Sequence, residues 1–247
     1  MGVLTGKVAV VTGGSRGIGR AVVERLARDG AEVVFSYARN AEAAEDVERV
    51  VRSAGGSAHG VRLDFAEPAS AEQLTADAVR RLGGLDILVN NAAASFTPVP
   101  LAETDEALFD RVMTVNAKTT FLTMRYAARH MREDGRIVNI STLNTAHPVP
   151  GISPYVASKG AVEQLTAVAA QELGPRGITV NTVSPGATDT DLLREANPGG
   201  DFQRVTRVTP LGRLGLPTDI ADVVAFLAGP DGRWLTGQNL RATGGLL

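Results

Sequence analysis

The chain has 247 residues, 44% of them hydrophobic, with 25 basic and 27 acidic side chains and a net charge of −2. That balance carries no electrostatic footprint for nucleic acid, and the absence of cysteine excludes disulfides, thiolate catalysis and Cys-ligated metals. His59, His130 and His147 lack metal-site spacing and no stretch is apolar enough to span a bilayer, so a soluble cytoplasmic protein without a metal is expected.

Residues 8–11 form an uninterrupted apolar, β-rich run, as in a strand buried on both faces. The turn Thr12-Gly13-Gly14-Ser15-Arg16-Gly17-Ile18-Gly19 follows, and Ile18, Ala21, Val22 and Leu26 then share a helical face up to Gly30. A second strand is predicted over 32–35, a charged amphipathic helix over 41–53, and a weaker strand over 58–63 leading to Asp64. Ser70 with Gln73 reads as a capping box opening a helix to about residue 82, before a fourth strand over 85–89 that stops at Asn90-Asn91. One long helix is predicted over 105–132, then a strand over 136–140. Ser153 suits an N-cap and Pro154 the first helical position, and Ala157, Ala161, Val162, Leu165, Val168 and Ala169 follow at helical spacing. After a sixth strand over 178–183, residues 185–216 lack strong periodicity and carry Pro185, Pro198, Gly199, Gly200 and Pro210, which reads as a flexible substrate lid with short helical pieces. A helix over 217–227 and a strand over 239–242 close the chain. Strict strand–helix alternation predicts one α/β domain over 1–247, a doubly wound parallel sheet with helices on both faces.

Ligands of such a sheet bind at the carboxyl ends of its strands. That edge collects the glycine turn, Asp64, Asn90, Thr142, Pro185 and Gly186. The glycine turn has two functional readings. It can cradle a pyrophosphate on backbone N–H groups, or, as Gly13-x-Ser15-x-Gly17, serve as a hydrolase nucleophile elbow needing a downstream histidine. Tyr155 and Lys159, four apart, share one helix face, where an ammonium and the helix dipole favour the phenolate. Each tenfold rise in the ionised fraction corresponds to about 1.4 kcal/mol.

Thr12-Gly13-x-x-x-Gly17-x-Gly19, Asn90-Asn91-Ala92, Asn116, Tyr155-x-x-x-Lys159 and Pro185-Gly186-x-x-x-Thr190 resemble, in order, the motifs of the single-domain short-chain dehydrogenase/reductase family, with 3-oxoacyl-carrier-protein reductase-like members among them. The resemblance spans about residues 7–245 and implies a Rossmann-type sheet, a nicotinamide cofactor and hydride transfer between a carbonyl and an alcohol. By it, Tyr155 is the general acid/base, Lys159 binds the nicotinamide ribose and lowers the tyrosine pKa, and Asn116 holds a water in the proton relay. Thr142 stands where the family has a carbonyl-polarising serine; its hydroxyl makes the same hydrogen bond, whereas Ser141 faces the other way if the strand continues. Implied cofactor contacts are Gly13, Ser15, Arg16, Gly17, Ile18, Gly19, Ser36, Tyr37, Arg39, Asn90, Ala92, Pro185, Gly186, Thr188 and Thr190, with Asp64 and Phe65 beside the adenine. Ala93 and Thr243 depart from the pattern, replacing a glycine and an acidic residue.

Ser36-Tyr37-Ala38-Arg39 offers no acid to hold the ribose hydroxyls of NAD, while Arg16 and Arg39 can pair with a 2′-phosphate, so NADP(H) is expected over NAD(H), and mainly reduction. The alternative is that both arginines are solvated surface charges. Leu192, Leu193, Phe202 and Val205 of the lid, with Leu143, His147, Pro148 and Val149, predict a largely apolar pocket for a small carbonyl or alcohol substrate. The mixed charges of residues 129–134 disfavour an acidic carrier protein as partner. A second function class is a cofactor-binding module or redox sensor with vestigial catalysis, which rests on Thr142 alone. The resemblance further implies a homo-oligomer, tetramer or dimer.

Overall fold

Alternate residues of each strand serve two different helical layers, which is why the apolar runs are continuous. In β1 (Val8–Val11), Ala9 and Val11 pack with Val22, Leu26, Phe35 and Val224 on one face. Val10 packs with Leu74, Leu88, Leu122 and Ile137 on the other. The computed structural model describes residues 2–67, 69–197 and 199–246, without the side chains of Ala69 and Ser70.

After β1 come α1 (Gly17–Arg28), β2 (Glu32–Tyr37), α2 (Ala41–Ser53), β3 (Ser57–Arg62), α3 (Ala69–Leu82) and β4 (Ile87–Asn90). Then α4 (Glu106–Met113) runs through a π-helical turn (Thr114–Lys118) into α5 (Thr119–His130), followed by β5 (Arg136–Ile140), α6 (Ser153–Leu173) and β6 (Thr179–Pro185). The short α7 (Asp191–Glu195) and α8 (Phe202–Val208) precede α9 (Pro217–Ala228) and β7 (Asn239–Ala242). The seven strands form one parallel sheet in the order β3-β2-β1-β4-β5-β6-β7. The order reverses between β1 and β4, which opens a crevice above their carboxyl ends.

The doubly wound α/β architecture is therefore the expected one, and α2, β5 and β7 have their expected limits. Two helices differ. The predicted 105–132 helix contains one π turn, and it ends at His130 because Arg132 N–H is drawn to the Leu85 carbonyl at 3.0 Å. Ser153 is not an N-cap. Gly151, at φ +84°, turns the chain so that Ile152 takes the cap position and its carbonyl accepts from Val156 N–H at 3.0 Å; Ser153 is then the first helical residue. The Ser70 side chain of the expected capping box and Pro198 of the lid lie outside the described residues. No helix among the described residues is long and apolar enough to cross a membrane.

Candidate active site

Helix α6 carries Tyr155 and Lys159 beneath the carboxyl end of β5. The Tyr155 hydroxyl faces the Thr142 side chain, whose Oγ1 accepts from Asn144 N–H at 3.2 Å. Burial pushes the Tyr155 pKa above the ordinary phenol value, and the nearby Thr142 hydroxyl pulls the other way. Lys159, 3% exposed, donates from Nζ to the Ile140 carbonyl at 2.7 Å, and burial lowers its pKa to about 8. The ammonium lies 5.9 Å from the Tyr155 ring centroid. In the cofactor-free chain burial is the largest influence on the phenol, so its shift runs opposite to the one expected from the ammonium. Of the two hydroxyls at the end of β5, Thr142 meets the tyrosine, while Ser141 turns away to Glu163.

Asn116 sits inside the π turn, fully buried. Its Oδ1 accepts from Ala94 N–H at 2.8 Å and its Nδ2 donates to Ser158 Oγ at 2.9 Å; Ser158 in turn donates to the Tyr155 carbonyl at 2.7 Å. The extra residue of a π turn rotates the side chain out of helical register. Asn116 therefore pins the loop after β4 to the helix that carries the tyrosine.

The glycine turn is a built cradle. Gly13 and Gly17 have φ of +69° and +54°, and a Cβ on Gly19 would stand 2.1 Å from the Gly13 carbonyl oxygen. Among the described residues no side chain caps α1, so its first N–H groups are left for an anion. Ser36 Oγ accepts from Gly13 N–H at 3.0 Å, and Asn91 Nδ2 donates to the Thr12 and Gly13 carbonyls at 3.0 and 3.1 Å. Thr12 Oγ1 accepts from both Asn91 and Ala92 N–H at 2.9 Å. These residues fit a dinucleotide pyrophosphate. Ala93, where the family pattern has glycine, does not have a positive φ, so its Cβ is accommodated without strain.

Several expected cofactor contacts are engaged elsewhere. Arg16 does not face the end of β2: its Nη1 pairs with Glu195 at 2.9 Å and with Asp191 at 3.6 Å, and Glu195 also accepts from Ser95 Oγ at 2.8 Å. It thereby ties α7 to the glycine turn. The Asn90 side chain is spent inside the core, donating to Asn139 and accepting from Thr123 at 2.8 and 2.7 Å, so only its backbone borders the crevice. Phe65 is a core residue, packed with Leu63, Leu74 and Val34, because its ring points into the layer under α3. Asp64 Oδ1 accepts from Ala66 N–H at 2.9 Å, capping its own turn. Arg39 is exposed, Tyr37 and Ser15 are half-buried, and Ile18 packs against the core. The only histidine side-chain hydrogen bond among the described residues joins His59 to Ser57, so Ser15 lacks the partner that a hydrolase nucleophile needs.

Pro185 and Thr188 are buried and Gly186 and Thr190 half-buried above β6; Thr190 Cγ2 lies 3.3 Å from where a Gly17 Cβ would be. Of the expected substrate residues, Leu143 is buried, Leu192 and Leu193 are half-buried, and His147 is exposed on the loop after β5. Phe96 was not singled out by sequence reasoning, yet its ring stacks on Tyr155 at 4.9 Å between centroids. No periodicity marks a loop aromatic, and only the fold brings it to the tyrosine.

A family model described as enoyl-(acyl carrier protein) reductase matches residues 13–247. An uncharacterized oxidoreductase of Methylorubrum extorquens is 42% identical over all of both chains. Versicolorin reductase 1 of Aspergillus parasiticus is 40% identical, over 98% of this chain and 97% of its own. Among solved structures, the angucycline C-6 ketoreductase LanV with bound NADP superposes with a TM-score of 0.93 at 41% identity, over 100% of this chain and 97% of that one.

Proposed function

Because the chain belongs to the short-chain dehydrogenase/reductase family of oxidoreductases, we propose that it is an NADPH-dependent ketoreductase with Tyr155 as general acid. The observation that carries this reading is the Tyr155–Thr142 hydroxyl pair at the sheet edge beside buried Lys159. A bound nicotinamide supplies the hydride for the carbonyl carbon. The two hydroxyls hold the carbonyl oxygen, and Tyr155, kept protonated by burial, gives it the proton. Lys159 orients the ribose and electrostatically supports the tyrosine as charge develops on it. Gly13, Gly17, Gly19 and the N-terminus of α1 hold the pyrophosphate. The relatives versicolorin reductase 1 and the angucycline C-6 ketoreductase LanV, together with the Phe96 ring on Tyr155, favour an aryl or polycyclic ketone over a 3-oxoacyl carrier protein.

A panel of aryl ketones, quinones, 3-oxoacyl thioesters and enoyl thioesters with NADPH tests the assignment. Ketone reduction to the alcohol is expected, and an enoyl thioester reduced in preference to any ketone would overturn it. For the cofactor, Arg39 is an exposed cation after β2 with no ion pair among the described residues, while Arg16 acts through the lid. Arg39→Ala is accordingly expected to lower kcat/KM for NADPH by about tenfold, as for loss of one charge-assisted phosphate contact, and to leave NADH unchanged. Arg16→Ala is expected to weaken both cofactors alike. The same reading makes the protein a homo-oligomer, for which Phe121 on α5 and Val168 on α6 are exposed apolar surface.

A further inference from the structure

Glu163 lies on α6 one turn beyond Lys159, and nothing above gives it a role. Its Oε1 accepts from Ser141 Oγ at 2.6 Å and from Thr145 Oγ1 at 2.7 Å, with Ser184 Oγ farther off at 3.5 Å. Ser184 has a nearer acceptor in Asn239 Oδ1 at 2.7 Å, so its single proton goes there. Thr145 also stands 2.9 Å from the Thr142 carbonyl, and its one proton is shared between that carbonyl and Glu163. The residue that meets Tyr155 is therefore bracketed by two hydroxyls, one before it and one three after it, that converge on a single carboxylate oxygen. Ser141 is 3% exposed, so without Glu163 its hydroxyl has no water to turn to.

We propose that Glu163 is a positioning residue that fixes residues 141–145 and through them the place of the Thr142 hydroxyl relative to Tyr155. The inference rests on reading Thr142 and Tyr155 as the pair that holds the carbonyl oxygen. An effect transmitted through Thr142 must disappear when the Thr142 hydroxyl is removed, and a merely structural role would not show that dependence.

The experiment compares Glu163→Ala, Glu163→Gln, Thr142→Ala and the double variant Glu163→Ala/Thr142→Ala in the full chain, with the best ketone and with NADPH binding followed by fluorescence. Glu163→Ala is expected to lower kcat by about ten- to a hundredfold, the size of effect seen for small misplacements, with NADPH affinity within about twofold. Glu163→Gln keeps an amide oxygen that accepts the same two hydroxyls, so its kcat should stay within about threefold of the parent. In the Thr142→Ala background, Glu163→Ala should cost less than about threefold more. Should Glu163→Ala fail to fold, Ser141→Ala/Thr145→Val removes the same bonds from the other side and should reproduce its kcat. Parental kcat in Glu163→Ala, a Gln variant as slow as the Ala variant, or full multiplication of losses in the double variant would each overturn this inference alone. Full turnover in Thr142→Ala would overturn the underlying reading and this inference with it.

Discussion

Tyr155→Phe is expected to lower turnover by about 10²- to 10⁴-fold, the usual contribution of a positioned general acid, while NADPH affinity stays within about twofold. The substitution is surgical because the ring has two jobs and only one is removed. Phenylalanine keeps the stack on Phe96, 4.9 Å between centroids and 26° between planes, so the wall of the pocket stays in place. What goes is the hydroxyl that meets Thr142. Steady-state ketone reduction and a fluorescence titration with NADPH separate the two readouts. Turnover retained in Tyr155→Phe would reject the assignment of the acid.

Much of the fold was legible because its signals are local and mutually consistent. Apolar runs such as residues 8–11 need burial on both faces, and helical spacing between them leaves little but a doubly wound sheet. The glycine turn was legible for a similar reason: Gly19 has no room for a Cβ against the Gly13 carbonyl. What escaped was set by partners remote in sequence. Asn116 lies on a helix whose composition is uninterrupted, and only its bonds to Ala94 and Ser158 show why the helix takes a π turn there. Position alone sends Arg16 to a phosphate, but its guanidinium reach also takes in Glu195, 179 residues away, and that pairing depends on where the lid lies. The direction of the Tyr155 shift was missed for a third reason. Sequence spacing places a charge nearby but cannot weigh it against desolvation, and burial is a property of the whole packed layer.

Lys159→Met is expected to give a cofactor-free protein that is more stable near neutral pH and almost without activity. Lys159 is buried, has no carboxylate partner among the described residues, and holds its charge against desolvation with one carbonyl. The fall of its pKa from 10.5 to about 8 corresponds to about 3 kcal/mol disfavouring the charged native state. Methionine removes that penalty at similar length but leaves the Ile140 carbonyl without its donor, so a net gain of about 1–2 kcal/mol remains. In a chain of this size that raises Tm by about 2–8 °C. The pH dependence has a definite sign. Below about pH 8 both the native and the unfolded lysine are protonated, and the native state bears the whole cost. Between about 8 and 10.5 the unfolded chain binds more protons than the native one, so parental stability rises with pH through that window and the advantage of Lys159→Met shrinks. Urea denaturation of both proteins at pH 7 and pH 10 measures this, and a variant less stable than the parent at pH 7 would refute the account. Activity moves the other way, because the cation that destabilises the empty site is the one proposed to hold the ribose and support Tyr155. Parental ketone reduction should then decline above about pH 8 as the ammonium is lost. Stability given up at one buried cation and recovered as catalysis is the trade expected of a functional site, and the two measurements must move in opposite directions for Lys159 to have the role proposed.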